Sequence, residues 1–139
     1  EDLSRGLGDV YKRQVMGAMA MSLSEEDMAD LAAYYASLPI SNNSTPENVV
    51  DEGKVLYTAG NAERGVTACI ACHGPRGNGT ELSGFPKISG QHADYIKAQL
   101  EKFRDGSRNN DMNAMMRDVA KKLTDADIDT LSKYVGGLH

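Results

Sequence analysis

The sequence Cys69-Ile-Ala-Cys72-His73 constrains the fold of this chain more than any other feature. Two cysteines at this spacing can present both sulfurs along one edge of a planar macrocycle, and the histidine that follows is then placed beneath its metal. Cys-x-x-Cys-His is a specific signal for covalent haem c attachment through two thioethers. The motif therefore predicts that Cys69 and Cys72 hold one haem c and that His73 is the proximal ligand of its iron.

Three other uses of the cysteine pair stay open at this point. A structural zinc site needs four Cys or His ligands, so His92 and His139 would have to complete it. A thioredoxin-like redox pair is expected in a βαβ context, and the sequence shows none. The third use is a structural disulfide.

Composition and charge narrow the class of protein. Hydrophobic residues make up 40% of the chain, with no Trp and few aromatic residues, so a buried porphyrin would help to fill the core. Residues 1–48 hold eight acidic and three basic residues, whereas residues 49–139 hold twelve of each. This balance argues against nucleic-acid binding. The basic residues between 97 and 122 form either a solvated helix face or a docking patch for an acidic redox partner. No stretch approaches the roughly 20 apolar residues of a membrane helix, so no transmembrane segment is predicted.

An internal repeat suggests two related domains. Leu23-Ser24-x-x-Asp27-Met28 and Leu123-Thr124-x-x-Asp127-Ile128 are offset by 100 positions, and each resembles a capping box that opens a helix. We expect residues 15–38 to be the C-terminal remnant of a first domain and residues 47–139 to be a complete second one. Residues 39–46, rich in Pro, Ser and Asn, are the expected linker. Residues 1–14 resemble a translated adapter or transposon end, and we expect them to be a non-native segment.

Apolar spacing predicts an all-α complete domain. We expect helices over residues 47–58, 91–105 and 115–122 and a final helix capped by Thr124. Residues 60–90 are rich in Gly and Pro and should form a long loop region that wraps something or serves function.

The second axial ligand is the next question, and a methionine sulfur is a common partner of histidine on haem iron. Met112, Met115 and Met116 follow the haem motif. Shifted back by 100 positions, Met116 falls on Met16, whereas the other two do not fall on methionine. The repeat therefore favours Met116 as the distal ligand, with Met115 as the alternative.

Several segments together resemble class I cytochromes c, and most closely the second domain of the dihaem cytochrome c4 family. They are residues 69–74, the Phe-Pro-Lys segment within 84–92, residues 99–106, Arg108-x-Asn110-Asp111 and the C-terminal residues 134–139. The resemblance implies a class I cytochrome c fold around one covalent haem. It also implies that the carbonyl of Pro86 accepts a hydrogen bond from the ring of His73.

The resemblance further implies a function: one-electron transfer in a bacterial periplasmic respiratory chain, by a protein that is not an enzyme. Its expected partners are a terminal oxidase or a cytochrome bc1-type complex, and it is expected to be soluble or peripherally associated with the membrane. The alternative is a haem-enzyme module or gas sensor with an open sixth coordination site. A haem-free binding or disulfide module is a third hypothesis.

Overall fold

The computed structural model describes residues 15–39 and 43–139, and the chain divides into two compact units with the boundary after Pro39. The segment 1–14, expected to be non-native, lies outside the described residues. Within the described ranges there is no β-strand, and the bridges are two isolated antiparallel ones. The expected all-α class is therefore confirmed.

The first unit contains a helical turn over residues 15–20 and helix α1, Glu25–Ser37. The side chain of Ser24 accepts a hydrogen bond from the backbone of Asp27, and the Asp27 carboxylate accepts one from the backbone of Ser24. This capping box satisfies amide groups that have no partner inside the helix. The start of α1 is therefore where the sequence predicted it.

The second unit is built from five helices among the described residues: α2 Val50–Thr58, α3 Ile70–His73, α4 Ala93–Asp105, α5 Met115–Ala120 and α6 Asp125–Gly136. A 3-10 turn, Glu47–Val49, precedes α2, and two more lie at Glu81–Ser83 and Met112–Ala114. Helix α6 packs against α2 and α4, and α4 packs against α5. The predicted helices are present with ends shifted by a few residues.

The packing of α2 against α6 depends on Gly53. A Cβ atom built on Gly53 would lie 2.5 Å from the Cβ of Tyr134. Only a residue without a side chain allows the two helices to come this close. Around this crossing lies the buried core, made of Leu56, Tyr57, Val66, Leu123, Ile128, Leu131 and Val135.

The first described residues of the second unit bond to α6 and to the loop before α4. The hydroxyl of Thr45 donates to the carbonyl of Tyr134 at 3.1 Å, and the Asn43 amide donates to the carbonyl of Gly90 at 3.3 Å. Residues 43–46, which the sequence placed in a linker, thus bond to the second unit. No helix in the described part of the chain is long and apolar enough to cross a membrane.

Candidate haem site

One cavity of about 300 Å³ in the second unit brings together all five residues that the sequence singled out. Most of its remaining wall is apolar, and residues of α4, α5 and α6 supply much of it. The predicted five are Cys69, Cys72, His73, Pro86 and Met116; the apolar lining includes Ile88, Ile96, Leu100, Phe103, Val119, Leu123, Leu131 and Val135.

The two cysteines lie at either end of the first turn of α3. The backbone amide of His73 donates to the carbonyl of Cys69 at 2.9 Å, so a single helical turn holds the whole motif. Both thiols are free, and desolvation raises the pKa of the Cys69 thiol to about 11. Redox-active cysteines have lowered pKa values instead. The structure therefore gives no support to a thioredoxin-like pair.

A zinc site is not supported either. Among the described residues, no three His, Cys, Asp or Glu side chains come together as a metal cluster. His92 occupies the N-cap position of α4, and a ring nitrogen of His139 lies 2.7 Å from the carbonyl of Asn43. The histidines that would have had to complete a zinc site are thus placed elsewhere.

The ring of His73 is held in one orientation. The residue is 7% exposed, and its Nδ1 lies 2.9 Å from the carbonyl oxygen of Pro86. Because a carbonyl can only accept, Nδ1 carries a proton, so in the neutral ring the lone pair lies on Nε2. A neutral imidazole fixed in this way is the usual form of a metal-ligating histidine.

A tight loop brings the Pro86 carbonyl to that position. Thr80 and Phe85 exchange two backbone hydrogen bonds of 2.8 and 3.1 Å. Gly79, with φ of 70°, lies so close to this turn that a Cβ atom would be 2.3 Å from the Phe85 carbonyl oxygen. A side chain at Gly79 would therefore push away the segment that presents Pro86.

Two further contacts hold the residues on either side of the haem motif. The hydroxyl of Tyr57 donates to the carbonyl of Gly74 at 2.6 Å, directly after His73. Arg64 donates two hydrogen bonds to Asp127, at 2.5 and 2.9 Å, and so ties the loop before Cys69 to the start of α6. These bonds, helped by those from Thr124, hold the pKa of Asp127 at about 2.

The three downstream methionines are placed differently. Met116 is half-buried and lines the cavity, whereas Met112 and Met115 are 67% and 39% exposed and do not line it. Met16, the counterpart of Met116 in the repeat, belongs to the first unit and is 63% exposed. Met116 is thus the methionine, of the three, that shares the cavity with His73.

Among the polar residues that line the cavity are Gln99 and Arg108, to which the sequence assigned no role. Arg108 donates to the amide oxygen of Gln99 at 2.9 Å, and its guanidinium lies 4.5 Å over the ring of Phe103. Arg104 looks equivalent in sequence, but it forms an ion pair with Asp125 and does not line the cavity. Helical spacing alone did not separate the two arginines.

The donor set fits a covalently bound haem. Two thiols can form thioethers, an imidazole nitrogen and a thioether sulfur can bind iron, and the remaining wall is mostly apolar. Cavities of this kind, apolar with a few placed polar groups, are typical cofactor sites.

Comparisons with known proteins agree with this chemistry. Residues 50–139 match the cytochrome c family. Cytochrome c4 of Thiocapsa roseopersicina is 47% identical over 124 residues, covering 88% of this chain and 65% of that protein. The crystal structure of reduced recombinant cytochrome c4 from Pseudomonas stutzeri is similar with a TM-score of 0.83 at 43% identity, covering 89% of this chain and 66% of that one.

A further relative has a name that states a role. The thiosulfate dehydrogenase electron acceptor of Thiomonas intermedia is 38% identical over 124 residues, covering 87% of this chain and 57% of that protein. This chain therefore spans less than two thirds of the length of either curated relative.

Proposed function

Because this chain belongs to the cytochrome c family, we propose that residues 47–139 act as a one-electron carrier. One haem c is held covalently through Cys69 and Cys72. In the proposal, His73 and Met116 would be the two protein ligands of its iron. The observation that supports this assignment is the shared cavity: the ring of His73 is fixed there by Pro86, and Met116 is the one of the three candidate methionines that also lines it.

The bound haem supplies one iron that alternates between the ferrous and ferric states. The protein would supply two ligands to that iron and an apolar wall around the haem. The Nε2 lone pair of His73 is held ready by the hydrogen bond at Nδ1, and the soft sulfur of Met116 favours the ferrous state and so raises the reduction potential. The apolar wall keeps water away and leaves little internal rearrangement to accompany a change of charge.

The same arrangement argues for a carrier rather than an enzyme. If His73 and Met116 both bind the iron, small molecules would have no free coordination position. The haem-enzyme or gas-sensor alternative requires an open sixth position, and the placement of Met116 in the cavity speaks against it.

The setting of the carrier is also part of the proposal. We infer that residues 15–38 are the end of a first cytochrome c domain, that residues 39–46 link the two, and that the parent protein is a dihaem cytochrome c4. The expected location is the periplasm, and the expected partners are a terminal oxidase or a cytochrome bc1-type complex. The name of the Thiomonas intermedia relative adds a sulfur-oxidising dehydrogenase as a class of electron donor.

Spectroscopy on protein made with a cytochrome c maturation system tests the ligand assignment. The pyridine haemochrome should show one covalent haem per chain. The ferric protein should show the weak charge-transfer band at the red edge of the visible spectrum that marks methionine ligation, and the ferrous protein should bind carbon monoxide poorly.

Two matched variants decide between the methionines. Met116→Leu should abolish the far-red band and let carbon monoxide bind, whereas Met115→Leu should change neither, because Met115 is exposed and does not line the cavity. Retention of the band in Met116→Leu would move the distal ligand elsewhere. Rapid carbon monoxide binding by the unsubstituted protein would favour the alternative with an open sixth coordination position.

A further inference from the structure

The segment that leads into Met116 has an unusual backbone. Asn113 and Ala114, which are consecutive and are not glycine, both adopt left-handed conformations, with φ of 52° and 57°. A side chain in this region is disfavoured by contact with its own backbone, and Ala offers no polar group to offset that cost. Such a pair persists only where the surrounding contacts enforce it.

The enforcing contacts come from one carboxylate. Asp111 Oδ1 accepts a hydrogen bond from the Nε of Arg117 at 2.8 Å, and Oδ2 accepts one from the backbone amide of Arg117 at 3.0 Å. The Asp111 side chain is 5% exposed, and that of Arg117 is 29% exposed. A carboxylate bonded to a charged donor at this depth is held more firmly than a surface ion pair.

The carboxylate of Asp111 also caps the start of helix α5. Helix α5 begins at Met115 with Ala114 at the N-cap position, and Ala114 has no side-chain acceptor for the first amides of the helix. Asp111 supplies that acceptor from three residues before the cap, to the amide of Arg117. The carboxylate therefore fixes both the left-handed turn and the first turn of α5.

Met116 lies inside the ring that these bonds close, one residue before Arg117. Neither Asp111 nor Arg117 lines the cavity, whereas Met116 does. We propose that Asp111 and Arg117 are positioning residues that hold the thioether of Met116 towards the cavity, and so keep the sixth coordination position of the iron closed. The proposal rests on the proposed function, since it assumes that Met116 is the distal ligand.

The test uses the holoprotein and measures carbon monoxide binding to its ferrous form together with the ferric far-red band. Asp111→Ala should weaken the band and speed carbon monoxide binding by at least about tenfold, the change expected when a charge-assisted hydrogen bond no longer holds one of two local states. Asp111→Asn retains one oxygen for the Arg117 amide, so its band intensity and carbon monoxide binding rate should lie between those of Asp111→Ala and those of the unsubstituted protein. The same intermediate values are expected for Arg117→Gln.

Asp118→Ala is the matched control, because Asp118 lies in the same short helix and its contact with Lys121 is exposed and 3.9 Å long. It should leave the band and the binding rate unchanged. A second control removes the ligand: in a Met116→Leu background, Asp111→Ala should cause no further gain in binding rate. A purely structural role would lower stability in both backgrounds without this dependence.

The outcomes separate the two proposals. If the parent lacks the band or binds carbon monoxide readily, the assignment of Met116 fails. Suppose instead that the unsubstituted protein has the band and that all three variants, Asp111→Asn, Arg117→Gln and Asp111→Ala, have the same band and the same carbon monoxide binding rate. The positioning role is then wrong, while the carrier function stands. Should Asp111→Ala fail to fold, the band and the carbon monoxide binding rate of Asp111→Asn and Arg117→Gln still test the positioning role.

Discussion

Replacing Gly53 by alanine should destabilise the second unit, although alanine is the better helix former. The new Cβ would lie 2.5 Å from the Cβ of Tyr134 and 2.8 Å from its Cγ. Non-bonded carbon atoms are most stable at about 3.5–4.0 Å. Because a Cβ atom is attached to the backbone, rotation of the Tyr134 side chain cannot relieve the contact. Helices α2 and α6 must therefore move apart by about 1 Å.

Two opposing contributions set the change in the free energy of unfolding caused by Gly53→Ala. Overpacking a well-filled contact costs about 1–3 kcal/mol, while exchanging glycine for alanine within a helix gains about 1 kcal/mol. The upper part of the cost range applies here, since Tyr134 also packs on the ring of the fully buried Tyr57, with centroids 5.7 Å apart. The expected net loss is about 1–2 kcal/mol, which for a domain of this size lowers Tm by about 4–15 °C.

Thermal and urea unfolding of the holoprotein measure this loss. Gly17→Ala is a matched control, because a Cβ there meets nothing within 4 Å, and it should cause no destabilisation. Gly53→Ala combined with Tyr134→Gly moves the glycine to the opposite helix, and the pair should be less destabilised than the sum of the single changes by about 1–3 kcal/mol. If Gly53→Ala is as stable as the parent, the two helices do not meet at this residue as the structure has it.

Two further predictions concern the loops around the haem motif. The pKa of Asp127 is about 2 in the folded protein against an ordinary 3.8, so the pair with Arg64 contributes stability above about pH 4 that is lost as the pH falls through about 2. Asp127→Asn should lower the free energy of unfolding by about 1–2 kcal/mol at pH 7, after allowance for the partly solvated guanidinium. In urea titrations, the variant should also lose less stability than the unsubstituted protein between pH 4 and 2. If both proteins lose stability equally over that range, the pair is not the source of the pH dependence. Gly79→Ala should reduce the yield of folded holoprotein far more than Gly84→Ala, since both residues have φ of 70° but a Cβ at Gly84 meets nothing within 4 Å; equal yields would show that backbone strain alone matters.

Features that depend on neighbouring residues were predictable from the sequence. The capping boxes at Ser24 and Thr124 are both present, because a cap is made by residues three positions apart. Helix α4 ends at Asp105, before Gly106, for a similarly local reason. Cys69, Cys72, His73 and Met116 could be selected because the haem motif and the repeat restrict the choice to a few positions, whereas Pro86 was implied by the family resemblance alone.

Contacts between distant residues were not predictable. Arg64 lies in an irregular loop, and the position of Asp127 is already explained by its capping role, so nothing in the sequence called for their pairing. The hydrogen bonds between Asp111 and Arg117 join residues that are close in sequence, but they accompany two consecutive left-handed residues, and the second, Ala114, is of a type that disfavours this conformation. Arg104 and Arg108 are indistinguishable until the fold turns one towards Asp125 and the other towards the cavity.

The two copies of the repeat show how tertiary structure gives the same local sequence a different task. Asp27 and Asp127 make the same capping hydrogen bonds. Asp127 also accepts hydrogen bonds from Arg64, in the loop that precedes Cys69, whereas among the described residues the hydrogen bonds of Asp27 stay within its own capping box and are exposed. Because one carboxylate joins the cap of α6 to the loop that precedes the haem motif, loss of that cap should loosen the attachment site as well as the helix. Stability of the final helix and order at Cys69 are therefore coupled in this domain.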